Sequence, residues 1–122
     1  VPEALSVGKV AAQFGLEPDT LRYYERIGVL PAPTRNSSGH RIYTDQDVHL
    51  IEVLLHLRDT GMPLTRIAEF TRLVASDPDG VPGRLELLEE HQAEVLERLR
   101  AWQNSLSLIE QKIADYRSRL EL

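Results

Sequence analysis

Hydrophobic positions along the chain fall into four short helical runs and one long one. Val7, Val10, Ala11 and Phe14 repeat at helical spacing behind Ser6, whose hydroxyl suits an N-cap, and Gly15 supplies a stop. Pro18 fits the first turn of a second helix, where Leu21, Tyr24 and Ile27 form a face spaced by three before Gly28 closes it. Pro31 and Pro33 forbid helix, and Asn36-Ser37-Ser38-Gly39 is turn chemistry. Arg41-Ile42-Tyr43 alternates as a short strand, so a hairpin-like wing is predicted beside the second helix. Thr44 and Asp47 form a capping box for a third helix reaching about Thr60. That helix carries Val48, Leu50, Ile51, Val53, Leu54, Leu55 and Leu57, apolar around most of its circumference, as a central core helix would be. Gly61 ends it. Pro63 opens a fourth helix whose inner face is expected at Leu64, Ile67, Ala68 and Leu73. Ser76 to Gly83 has loop composition and reads as a linker.

The strongest periodicity comes last. Steps of three and four from Leu85 give Leu88, Gln92, Val95, Leu99, Trp102, Leu106, Ile109, Ile113, Tyr116 and Leu120, apolar at every position but Gln92. This is a coiled-coil seam on a helix roughly 55 Å long, and such a stripe needs a partner helix. Folding back over its own domain would cover only its first turns. Gln92 reads either as a register-setting polar residue or as a tolerated defect. The fold class is mainly α: a winged helix-turn-helix domain over residues 5–75, a linker over 76–83, and a coiled-coil dimerisation helix over 84–122.

Charge changes the picture only when divided. The net charge is −5. Residues 1–73 hold eight Lys/Arg and nine Asp/Glu, whereas residues 74–122 hold six and ten. Within Thr20–Tyr43, Arg22, Arg26, Arg35 and Arg41 stand against Glu25 alone, interleaved with Tyr23, Tyr24 and Tyr43. Arginine neutralises phosphate and reads guanine edges, and tyrosine hydroxyls bond phosphate oxygens, so this stretch suits duplex DNA as well as an ordinary solvated surface. Cysteine is absent, which excludes disulfides and thiolate metal sites within the chain. No apolar run is long enough to span a bilayer and no signal-peptide pattern opens the chain, so a cytoplasmic protein is expected. The absence of an initiator methionine points to trimming or an artificial boundary.

The string LRYYERIGVLPAPTRNSSGHRIYT resembles the signature of the MerR-type transcriptional regulators, and the order of elements resembles theirs over essentially the whole chain. The resemblance implies that the second helix enters the major groove while the wing lies along the backbone. It implies DNA-facing roles for Thr20, Arg22 and Tyr23, and a Tyr24 divided between core and phosphate. Arg35 and Arg41 would grip backbone, Tyr43 would brace the wing, and His40 takes a wing position often held by tyrosine. It further implies a homodimer through an antiparallel coiled coil, with Leu85, Leu88, Val95, Leu99, Trp102, Leu106, Ile109, Ile113, Tyr116 and Leu120 at the interface. Such a dimer would bind a pseudo-palindromic promoter and distort its spacer so that RNA polymerase engages both promoter elements. Two departures stand out. Glu17 and Asp19 put carboxylates in a turn that would approach phosphates; Asp19 either favours the helix dipole or accepts from a cytosine amino group. The chain also lacks the cysteines of metal-sensing members and the appended domain of drug-sensing ones, as a short member without an effector domain would.

Other functions have less support. There is no Cys nucleophile, phosphate-cradling glycine loop or paired-carboxylate setting, and an enzyme is not expected. His49, Glu52 and His56 share helical spacing, but surface histidines are the commoner reading, and no metal or cofactor is expected. Trp102 and Tyr116 read as seam packing before they read as a small-molecule site. The competing class is a coiled-coil interaction module carrying an architectural DNA-binding domain.

Overall fold

A computed structural model describes residues 5–121. Its elements in chain order are β1 (Leu5–Ser6), α1 (Val7–Gln13), α2 (Pro18–Arg26), β2 (Thr34–Arg35), β3 (Arg41–Tyr43), α3 (Asp45–Asp59), α4 (Leu64–Ala75) and α5 (Val81–Arg119). The chain forms two compact units that divide after Leu85.

Local chemistry sets most boundaries of the first unit. The Ser6 hydroxyl accepts from the Lys9 amide, and the Thr44 and Asp47 side chains each accept from the other's backbone N–H in a full capping box. Pro18 occupies the first turn of α2, where its missing N–H leaves no bond unmade. At the other end Gly28 takes φ +81°, and the amides of Val29 and Leu30 both donate to the Tyr24 carbonyl. That reversal turns Val29 and Leu30 into the core and leaves Ile27 exposed, although its spacing put it on the buried face.

The core gathers Val10 and Ala11 from α1, Leu21 from α2, Ile51 and Leu54 from α3, and Ile67 from α4, all almost fully buried. On α4 the inward face differs from the expectation at both ends. Leu64 and Leu73 are half-buried, whereas Phe70 and Thr71 are buried. Thr71 is tolerated there because its hydroxyl donates to the Val29 carbonyl at 2.6 Å and lies 3.0 Å from its own helix's Ile67 carbonyl.

The wing is a three-stranded antiparallel sheet of order β1-β3-β2. Leu5 pairs with Tyr43 and Ser6 with Ile42 on one side of β3, and Thr34 with Ile42 and Arg35 with Arg41 on the other. The edge strand β1 is a feature that the loose-looking start of the chain does not announce.

The expected linker over residues 76–83 is shorter than predicted, because α5 already begins at Val81. Pro82 and Gly83 sit in its first turn, where proline is compatible with helix. Gly80 is required by close packing: a Cβ there would lie 1.9 Å from the Leu73 carbonyl oxygen. Arg84 pairs with Asp77 across the same turn.

In the second unit, which begins at Glu86, residues 86–119 form the long part of α5. Its two buried side chains, Leu87 and His91, lie off the seam. The seam itself is open: Leu99 is 53% exposed, Trp102 77%, Leu106 53%, Ile109 55% and Ile113 46%.

Candidate nucleic-acid interface

The second helix presents its polar face because Leu21 and Tyr24 are pinned inward. On the outer face Thr20 and Arg22 are half-exposed and Tyr23 and Arg26 exposed. The Arg26 guanidinium lies 5.4 Å from the Tyr23 ring centroid, a cation–π contact that steadies both. Arg22 is steadied differently: its Nη1 donates to Asp19 Oδ1 at 2.7 Å, one turn earlier.

Tyr24 does not join this surface. Its ring is buried, and its hydroxyl accepts from Arg58 Nη1 at 3.0 Å. Arg58 also donates to Asp59, and these two bonds hold its guanidinium more firmly charged than usual. Tyr24 therefore braces α2 on α3 and is a support rather than a groove contact. Tyr43 is likewise buried at the base of the wing, and that burial, with the nearby Glu25 carboxylate, raises its phenol above the ordinary value.

The wing tip is built by Asn36. Its Oδ1 accepts from the Ser38 and His40 amides at 3.0 Å each, while its own amide donates to the His40 carbonyl at 2.9 Å. Gly39 takes φ +80°, a conformation that side chains rarely adopt, and Arg35 Nη1 donates to its carbonyl at 2.8 Å. The His40 side chain is exposed at this tip.

Glu25, the lone acid of the basic stretch, joins the two halves. Its Oε2 accepts from Arg41 Nε at 2.5 Å, and its Oε1 lies 4.0 Å from Arg35 Nη2. Glu25 and Arg41 are 17% and 22% exposed, so the bond is partly shielded from water. The Glu25 bond raises the Arg41 pKa further. Arg41 thus ties the wing to α2, a restraint absent from the simple expectation of a backbone-gripping arginine.

The structure brings Thr20, Arg22, Tyr23, Arg35, His40 and Arg41 onto one helix and its adjoining wing, and places Tyr24 and Tyr43 beneath them. Three residues that the sequence reading mentions but does not assign to the site contribute to it. Arg26 follows Arg22 by one helical turn, a spacing visible in the chain. Asp19 stands three residues before Arg22, also visible. Glu25 reaches Arg41 across sixteen residues, which no local pattern reveals. Among the described residues no three His, Asp or Glu side chains converge on a metal position, and His49, Glu52 and His56 are all exposed. No helix among the described residues is long and apolar enough to cross a membrane.

The family model for MerR HTH regulatory proteins matches residues 5–73, which is β1 through α4 of this geometry. The chain belongs to the MerR family. Over 128 aligned residues it is 33% identical to YyaN of Bacillus subtilis, an uncharacterised HTH-type transcriptional regulator, with 95% of this chain and 93% of that protein covered. It is 44% identical over 69 residues to the regulator slr0701 of Synechocystis, of whose length it spans 50%. Among solved structures it is similar to HiNmlR, a MerR family regulator lacking the sensor domain and bound to promoter DNA. There the identity is 31% and the TM-score 0.85, over 98% of this chain and 95% of that one. The wing and the paired α1 and α2 are therefore family architecture, and the chain is a MerR-family transcriptional regulator.

Proposed function

We propose that this MerR-family regulator binds duplex promoter DNA as a homodimer, reading the major groove with α2 and holding the backbone with the wing. The observation that carries the reading is that Arg22 and Arg26 stand on the solvent side of α2 and Arg35 on the wing, while Glu25 ties the wing to that helix through Arg41. HiNmlR, its structural relative, is itself bound to promoter DNA. The sites assigned to DNA are Thr20, Arg22, Tyr23, Arg26, Arg35, His40 and Arg41, with Tyr24 and Tyr43 as supports.

The dimer reading rests on α5. An exposed apolar seam from Leu85 to Leu120 is unstable in water without a partner. Charge favours a second copy in antiparallel orientation. Glu86, Glu89, Glu90, Glu94 and Glu97 follow one another over residues 86–97 with no Lys or Arg among them. Over residues 98–122, Arg98, Arg100, Lys112, Arg117 and Arg119 then outnumber Glu110, Asp115 and Glu121. Antiparallel pairing sets acid beside base, whereas parallel pairing sets acid beside acid. Such a dimer suits a two-fold promoter, whose spacer it would bend so that RNA polymerase meets both elements.

In vitro selection of duplex DNA, followed by binding across a salt series, tests this. A two-fold site is expected, with affinity falling about 10³- to 10⁵-fold between roughly 50 and 200 mM salt, as for a protein neutralising several phosphates. Sequence-blind binding with a shallow salt slope would refute it. The exposed seam also supports a second reading, in which α5 captures another protein. That reading gains if Arg22→Ala and Arg35→Ala together leave promoter control intact.

A further inference from the structure

We infer that Asp19 is a specificity-determining positioning residue, which acts on DNA only through Arg22. The inference rests on the DNA-binding reading above.

Asp19 lies in the first turn of α2 with its side chain 93% exposed, and its Oδ1 holds Arg22 Nη1 at 2.7 Å. An ion pair this exposed adds little to stability, since water screens it and two side chains must be held still. Its effect on the arginine is larger. A free arginine on a helix samples many rotamers and reaches phosphates as easily as bases. With one terminal nitrogen held by a carboxylate, the planar guanidinium is fixed over the surface, and its other N–H donors remain for two parallel bonds to a guanine edge. The carboxylate also offsets one positive charge. That weakens indiscriminate attraction to phosphate, which carries most non-specific binding. Both effects lower affinity for random DNA more than for the cognate site. Discrimination is a difference of affinities, and Asp19 contributes to it by positioning Arg22 and by offsetting that arginine's charge.

The geometry separates this role from two simpler ones. As a helix cap Asp19 is misplaced: Glu17 is the N-cap residue, and its side chain accepts no backbone bond. As a direct acceptor from cytosine, Asp19 would have to share or give up the oxygen that it spends on Arg22.

The test is a cycle of Asp19→Ala and Arg22→Ala in the full chain. Equilibrium binding is measured on the selected site and on random duplex across a salt series. Asp19→Ala is expected to raise affinity for random DNA severalfold and to lower the cognate-to-random ratio about tenfold. Its salt slope should steepen by about 0.9, one added phosphate contact. Melting temperature should move by less than about 4 °C. Asp19→Glu, which keeps the charge, should restore most of the ratio. In the Arg22→Ala background, Asp19→Ala should leave the ratio unchanged. Three results would overturn the inference: a ratio that Asp19→Ala does not move, a ratio that still falls without Arg22, or a changed base preference confined to one cytosine position. A wild-type protein that does not discriminate at all would instead remove the DNA-binding reading beneath it.

Discussion

Replacing Glu25 by Gln should loosen the wing from α2, and the structure sets the size of the effect. The side chains of Glu25 and Arg41 meet at 2.5 Å and are 17% and 22% exposed, so neither the surface limit nor the fully buried limit applies. Exposed ion pairs contribute about 0–1 kcal/mol, and hydrogen bonds to charged groups about 1.5–3 kcal/mol. Arg35, 4.0 Å away and 47% exposed, is too well screened to be counted. A coupling of about 1–2 kcal/mol between Glu25 and Arg41 follows. It is measured by a double-mutant cycle of Glu25→Gln and Arg41→Met in urea unfolding, and the same four proteins are titrated with DNA. Because the bond restrains the wing, DNA affinity should fall in Glu25→Gln even though a negative charge has been removed from a DNA-facing surface. Additive stabilities within about 0.3–0.5 kcal/mol would show that the two side chains do not act together. Tighter DNA binding by Glu25→Gln would show that Glu25 acts as a repelling charge and not as a tie.

Leu99→Glu places a charge on a side chain that is 53% exposed in the single chain, where a surface change ordinarily matters by less than about 0.5 kcal/mol. Loss of the dimer by sedimentation, with operator affinity falling at least tenfold, is expected only if the seam is an interface; a stable dimer would contradict that. Thr71→Val removes the hydroxyl that donates to the Val29 carbonyl at 2.6 Å, and should destabilise the first unit by about 1–3 kcal/mol in urea unfolding, Thr71→Ser by less. Little change in Thr71→Val would mean that water or a neighbour replaces the bond. Tyr43 supplies a pH signature. Its phenol ionises near 10.0 in the unfolded chain and higher when folded, so above that pH the unfolded state gives up a proton that the folded state keeps. Its stability contribution is complete below pH 10 and is lost as pH rises through the folded value. Tyr43→Phe should flatten that alkaline decline in melting temperature; an unchanged decline would assign it to other groups.

Much of the fold was legible because it is set by short-range chemistry. Ser6, the Thr44–Asp47 box, Pro18 and Gly28 each declare a helix end through groups within three or four residues of it. The seam of α5 was legible for the same reason, as its period needs no knowledge of anything else. Features that depend on chain reversal were not. Ile27 has the spacing of a core residue, but the turn at Gly28 brings Val29 and Leu30 inward in its place. Thr71 reads as polar surface until Val29 is known to lie against it. Pro82 and Gly83 read as breakers, although the first requires only a first turn and the second only the nearness of Leu73. At the candidate interface the arginines are visible as composition and Asp19 by its spacing from Arg22, while the reach of Glu25 to Arg41 is not. From the sequence Asp19 reads either with the helix dipole or as an acceptor from cytosine, and Glu25 as the exception in a basic run.

The sheet order has a consequence for when the interface becomes available. The strand shared by both pairings is β3, and one of its partners lies far upstream: Leu5 meets Tyr43 across thirty-eight residues. A two-stranded hairpin alone is marginal in water, so β2 and β3 are not expected to hold their shape until the opening residues have docked. During synthesis those residues emerge before β3 and wait, unpaired, until both helices between them have been made. The wing therefore depends on a non-local pairing and is expected to be among the first parts of the domain to open. Hydrogen exchange should find its amides less protected than those of α3, which places the most labile part of the domain where it is proposed to touch DNA.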